Sequence, residues 1–207
     1  MNDSVNDIRI GRTWTGLVLI ATTLDGYIAR EDGDIEWLTN APPEPRHAPG
    51  HRGQHPPPDY RDFYESVDHI VFGRGTYEKV LTFDSWPYAT KRVIVLSRTL
   101  TDGDDPRVRI ARDLDIAVDL LGRGDARRVY VDGGQVVTAF LRRGLIDELT
   151  VSTAPVLLGF GLPLFGHLDH DIRLVHRGTS TGDTGMVTSH YLVADAGDPL
   201  GRGAANQ

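Results

Sequence analysis

Two short apolar strands that each run straight into glycine and then into a helical pattern constrain this chain more than any other feature. The first is Ile70-Val71-Phe72-Gly73-Arg74-Gly75-Thr76-Tyr77-Glu78, and the second is Val129-Tyr130-Val131-Asp132-Gly133-Gly134-Gln135-Val136. A strand apolar at successive positions is buried on both faces, and helices that alternate with such strands supply the cover, which is the pattern of a parallel sheet. The alternation extends along the chain. Strands are expected at 17–22, 69–72, 92–96, 108–111, 129–131 and 148–152, and helices at 59–67, 76–81, 114–121 and 135–143. Gly144 stands where a helix C-terminus favours glycine. Two longer strands, 172–180 and 186–194, flank a turn containing Gly182-Asp183 and Gly185 and close the chain as an antiparallel pair. The expected fold is α/β, with three α/β/α layers around a mixed, mostly parallel sheet of about eight strands.

Organisation and composition narrow the class further. Residues 13–195 read as one domain, with polar or glycine-rich tails at 1–12 and 196–207. Residues 40–58 hold seven prolines and three histidines and are expected to form an exposed loop, since proline removes amide donors. His47, His51 and His55 recur every four residues, but Pro49, Gly50, Gly53 and Pro56 deny them the helix on which that spacing would make a metal-binding face, so no metal is expected. The net charge of −7 carries no basic block, which argues against a nucleic-acid partner. No cysteine is present, which excludes disulfides, thiolate metal sites and cysteine nucleophiles. No apolar run reaches the ~18 residues of a membrane span, and the polar start with Asp3 and Asp7 is unlike a signal peptide. A soluble, cytoplasmic protein is expected.

The glycine turns carry the chemistry. Glycine lets backbone amides approach a phosphate, and a helix N-terminus offers unpaired N–H groups with a partial positive charge. Parallel sheets bind ligands beyond the carboxyl ends of their strands. Two such turns in one small sheet suit the two ends of a dinucleotide, although either alone is equally a tight β–α turn that avoids strain. Arg74 is placed for phosphate, or is a solvated arginine. The strand 93–96 ends in Leu96-Ser97-Arg98, a hydroxyl followed by a guanidinium, which suits a ribose 2′-phosphate and favours NADPH over NADH.

These markers, together with Thr23-Leu24-Asp25-Gly26-Tyr27-Ile28-Ala29, Trp37-Leu38-Thr39 and Ala154-Pro155-Val156-Leu157-Leu158-Gly159, make the chain resemble the dihydrofolate-reductase-like superfamily. Within it the chain is similar to the C-terminal reductase domain of the riboflavin-biosynthesis bifunctional deaminase-reductase and its unassigned relatives. The resemblance spans roughly residues 16–194 and implies hydride transfer from NADPH to a small heterocyclic or ribityl-type substrate. It implies a first phosphate turn at Gly73, Arg74, Gly75 and Thr76, and an adenosine 2′-phosphate end at Leu96, Ser97 and Arg98. Gly133, Gly134, Gln135 and Val136 match the second phosphate turn, and Ala21 a backbone position facing the nicotinamide amide. It also implies a homodimer. Leu19 stands where the riboflavin reductases carry lysine, and Asp132 where they carry glutamate.

Other roles stay open at this level. Asp132 adjoins the nicotinamide end implied by the resemblance, and is either a catalytic carboxylate or the cap of the next helix. Asp25 either contacts substrate or holds its turn through backbone amides. Trp37 walls the substrate pocket or belongs to the core. Asp59 and Asp62 lie about where a folate enzyme holds its pteridine-binding carboxylate. The alternatives to a riboflavin-type reductase are dihydrofolate reductase activity and a non-catalytic nucleotide- or flavin-binding module with the same fold.

Overall fold

A computed structural model describes residues 12–39, 50–53 and 57–194, the segment 50–53 through its backbone. The strands are β1 (Thr15–Thr23), β2 (Tyr27–Ala29), β3 (Gly50–Gly53), β4 (His69–Gly73), β5 (Arg92–Leu96), β6 (Val108–Ala111), β7 (Arg128–Asp132), β8 (Glu148–Ala154), β9 (Leu162–Pro163), β10 (Leu174–Thr181) and β11 (Val187–Val193). The helices are α1 (Glu36–Thr39), α2 (Tyr60–Ser66), α3 (Arg74–Val80), α4 (Leu114–Arg123) and α5 (Gly134–Arg142). One nine-stranded sheet runs in the order β3-β10-β11-β8-β1-β7-β4-β5-β6. From β8 to β6 every pairing is parallel, while β11, β10 and β3 add antiparallel.

Strand alternation divides the core into two layers. In β4, Ile70 and Phe72 join a cluster with Leu17, Phe63, Tyr77 and Tyr130 on the face covered by α2 and α3. Val71 points the other way, to Val129, Val131, Leu121 and Phe140 beneath α4 and α5. The central strands are therefore buried on both faces, as their uninterrupted apolar runs require. In α5 the residues Val136, Val137, Phe140 and Leu141 turn inward, the spacing of one helical face. Asp113 caps α4, its side chain accepting from the Ile116 N–H at 2.9 Å.

The expected elements form with small shifts in their ends, and the sheet has one strand more than anticipated. Within the expected Pro/His-rich loop, Gly50–Gly53 pairs with β10, Thr181 opposite Gly50 and Gly178 opposite Gly53. The local composition opposes a strand there; the edge of β10 supplies the missing partner. His51 falls in this strand, and His47 and His55 lie outside the described residues, as do the tails 1–11 and 195–207. Arg12, expected to fray, is fixed. Its guanidinium donates to Leu145 O at 2.8 Å, pairs with Asp147 and lies 4.6 Å over the Trp14 ring. No helix among the described residues is long and apolar enough to cross a membrane.

Candidate active site

The carboxyl ends of β4, β5 and β7 lie side by side, with Gly73 paired to Leu96 and Phe72 to Asp132. Each glycine-bearing turn therefore opens at the same end of the sheet. Gly73 is the residue before α3, which begins at Arg74, two residues earlier than the sequence pattern suggested. An i,i+4 pair between Arg74 Nε and Glu78 Oε1, 3.3 Å apart, supports that earlier start. Arg74 also donates to the Thr99 hydroxyl at 3.1 Å, which ties the first turn to the end of β5.

At the second turn Gly133 precedes α5 with φ of +84°, a backbone conformation natural to glycine. A Cβ on Gly133 would lie 2.9 Å from the Thr76 hydroxyl, so the two turns meet across the cleft. A Cβ on Gly134 would lie 2.2 Å from the Pro163 carbonyl oxygen, so β9 closes directly over the start of α5. After β5, Ser97 is buried; its hydroxyl accepts from the Leu100 N–H at 3.1 Å and lies 3.4 Å from the Thr99 hydroxyl, either of which can be the donor. Arg98 is exposed, and its carbonyl is held by the Arg112 guanidinium.

These residues line one cleft of about 900 Å³. Gly73, Arg74, Gly75 and Thr76 form one wall, Leu96, Ser97 and Arg98 one end, and Gly133, Gly134, Gln135 and Val136 the opposing wall. A Cβ on Gly75 would meet nothing within 4 Å, so this turn leaves open space over its amides. Glycine backbone, hydroxyls and guanidinia around one cleft are the donor set a dinucleotide phosphate needs, and the residues present fit such a group.

The sequence did not indicate the remaining wall. Ile28, Leu162 and Pro163 come from the two-stranded sheet β2-β9, in which Tyr27 pairs with Pro163 and Ala29 with Leu162. Gly166 and His167 follow, held by a Gly166 N–H bond to the Thr138 hydroxyl at 2.9 Å and by Arg142 donating to the His167 carbonyl at 2.9 Å. No local pattern announces a two-residue strand fixed by a partner 136 positions away.

The other singled-out residues lie elsewhere. Ala21 lies on β1, opposite Ser152, outside the cleft lining. Asp25 is outside it too. Its carboxylate accepts from the Thr23 hydroxyl at 2.5 Å, the Gly159 N–H at 2.7 Å and the Leu158 N–H at 3.1 Å. The Thr23 bond leads in holding this carboxyl below its ordinary range. These contacts brace the turn in which Asp25 lies, away from the cleft lining. Asp59 caps α2, accepting from the Arg61 N–H at 2.8 Å, and is exposed, outside the cleft lining. Trp37, in α1, is half-buried, with its indole N–H enclosed and unbonded among the described residues; it does not line the cleft.

Asp132 ends β7 and is half-buried, without capping α5. Desolvation pushes its carboxyl above the ordinary carboxylate range, against opposing bonds from the Gly133 amide and Tyr130. Strand alternation sets it on the α2 side of the sheet with Tyr130.

A mostly parallel sheet of this order, with an antiparallel extension and a cleft at its carboxyl ends, is a dihydrofolate-reductase-like α/β fold. The dihydrofolate reductase of Enterococcus faecalis, solved with NADP(H), superposes with a TM-score of 0.57 over 87% of this chain and 97% of its own, at 17% identity. The family model of the RibD C-terminal domain matches residues 15–188, and the chain belongs to that family. The uncharacterized protein YwjB of Bacillus subtilis is 35% identical over 182 residues, 86% of this chain and 97% of its own. A protein of Shewanella sp. PV-4 whose name connects it with riboflavin biosynthesis is 34% identical, with a TM-score of 0.72 over 87% of this chain and 99% of that one.

Proposed function

We propose that this protein is an NADPH-dependent reductase of the riboflavin-reductase-like type, acting on a small heterocyclic or ribityl-type substrate. The observation that carries the reading is the convergence of two glycine turns and the Ser97-Arg98 end on one cleft. NADPH bound there supplies hydride, the part of the chemistry the side chains cannot provide. The first turns of α3 and α5 direct their amides at the phosphates. Arg98 and the Ser97 hydroxyl take the 2′-phosphate, with Arg74 and Thr99 beside them. β9 and the loop to His167 cover the second turn and exclude water.

Dihydrofolate reductase activity is not adopted. A pteridine-binding carboxylate must be buried, and both Asp59 and Asp62 on this stretch are exposed. The test is NADPH consumption followed by nicotinamide absorbance across a panel of pyrimidine, pterin and flavin compounds, with dihydrofolate included. Consumption with a heterocycle other than dihydrofolate is expected. Loss confined to dihydrofolate, or saturable binding without turnover on any member, would contradict the proposal.

A further inference from the structure

On the face of the sheet that α2 covers lies a second cavity, of about 270 Å³, which shares no described residue with the cofactor cleft. Strand register builds one side of it. Leu17 pairs with Tyr130 in β7 and with Glu148 in β8, which sets Arg128, Glu148 and Thr150 on the face of Leu17. β11 places His190 opposite Thr150. Asp62 and Ser66 of α2 complete the polar lining, and Phe63 and Val18 add apolar surface. Arg128 and Glu148 are the first residues of their strands, so this cavity lies toward the amino ends of the parallel strands, away from the glycine turns.

The charged groups here lack partners for their charge. Arg128 Nε donates to the Ser66 hydroxyl at 3.3 Å, and its guanidinium pairs with no carboxylate among the described residues. Glu148 approaches His190 Nε2 at 3.9 Å, beyond hydrogen-bond length, while His190 Nδ1 lies 3.0 Å from the Thr150 hydroxyl. Thr150 is buried, and the side chains of His190 and Glu148 are 13% and 32% exposed. Half-buried charges that do not meet one another lose hydration that no contact within the chain replaces.

The signs of those charges select the ligand. A simple anion drawn to Arg128 would face Asp62 and Glu148, and a simple cation drawn to the carboxylates would face Arg128. No three His, Asp or Glu side chains among the described residues converge as metal ligands do. A volume just below that of drug-sized pockets suits a small molecule. We propose that this cavity binds a small zwitterion, an amino acid whose carboxylate sits in the Arg128 guanidinium beside Ser66 and whose ammonium donates to Glu148 and Asp62. Arg128 and Glu148 stand two strands and two residues apart, roughly 12 Å between Cα atoms by strand spacing and rise. Charges so separated favour a γ-amino acid over an α-amino acid. Binding here is independent of the cofactor cleft and of the reductase reading.

The probe is γ-aminobutyrate, with butyrate and butylamine each carrying one of its two charges on the same chain. Amide shifts are followed by NMR in wild type, Arg128→Ala and Glu148→Gln, each checked for folding by thermal melting. Saturable shifts at Ser66, Thr150 and His190 are expected with γ-aminobutyrate, and both single-charge compounds should bind at least about tenfold more weakly. Arg128→Ala should weaken γ-aminobutyrate by about tenfold or more, the loss of a charge-assisted hydrogen bond. Glu148→Gln removes a repelling charge as well as an acceptor, so it should weaken γ-aminobutyrate and tighten butyrate, a reversal that a merely structural role would not produce. Absence of saturable shifts in folded wild type, butyrate binding as tightly as γ-aminobutyrate, or a Glu148→Gln change that weakens both compounds equally overturns the proposal.

Discussion

The Thr76 hydroxyl lies 2.9 Å from the position a Cβ on Gly133 would take, and Gly133 itself has φ of +84°. Two constraints therefore act on one residue, conformational and steric. Gly133→Ala should destabilise the fold by about 1–3 kcal/mol, seen as a lower midpoint in urea. Adding Thr76→Ala should restore the steric share and leave the conformational share, a non-additivity that a double-mutant cycle reads directly. Additive losses would mean that the turns do not touch.

Gly134 tests how the cleft is closed. A Cβ there would come within 2.2 Å of the Pro163 carbonyl oxygen, and backbone cannot rotate aside as a side chain does. Gly134→Ala should cost about 1–3 kcal/mol and increase proteolysis of the 155–166 loop. An unchanged midpoint would mean that β9 is loosely seated.

Asp25 should matter to the same loop and not to turnover. Its carboxylate joins the 23–26 turn to the Leu158 and Gly159 amides. Asp25→Ala should lower the melting temperature and speed amide exchange at Leu158 and Gly159, while NADPH affinity holds. A selective loss of kcat with unchanged exchange would instead give Asp25 a catalytic role.

Acid sensitivity should centre on Asp105. Arg107 foremost, with Tyr77 donating at 2.7 Å, holds its carboxyl well below the ordinary carboxylate range. A folded-state value depressed below the unfolded one stabilises the protein above the unfolded pKa, about 3.9, and that contribution drains away as pH falls below it. Asp105→Ala should therefore cost about 1–3 kcal/mol at pH 7, from lost bonds to a charged group, and progressively less below about pH 4. Denaturant melts at several pH values measure the difference. A gap that widens in acid would contradict the assignment.

The strands Arg92–Leu96 and Val108–Ala111 were legible to the residue, because β-branched runs between turn residues leave the backbone little choice. The parallel pairing of the central strands followed from alternation with helices; their order did not. Gly50–Gly53, Tyr27–Ala29 and Leu162–Pro163 were not legible, since each is short and made a strand by a distant partner. The site divides the same way. Glycine between strand and helix reports its own geometry, so both turns and Ser97-Arg98 could be read in advance. The wall formed by Ile28, Leu162 and His167 could not, because tertiary pairing brings it there. The aromatic layer under α2 escaped notice for a similar reason: Phe63 meets Tyr130, and Tyr64 approaches Tyr88, only when α2 packs on the sheet.

A nucleotide titration bears most directly on the cofactor cleft. Calorimetry with NADPH and NADH on wild type and Arg98→Ala should show saturable NADPH binding to wild type. The substitution should weaken NADPH by about 1.5–3 kcal/mol, the loss of one charge-assisted hydrogen bond, and leave NADH within error. Folded wild type that binds neither nucleotide, or an Arg98→Ala change that weakens both equally, would contradict it.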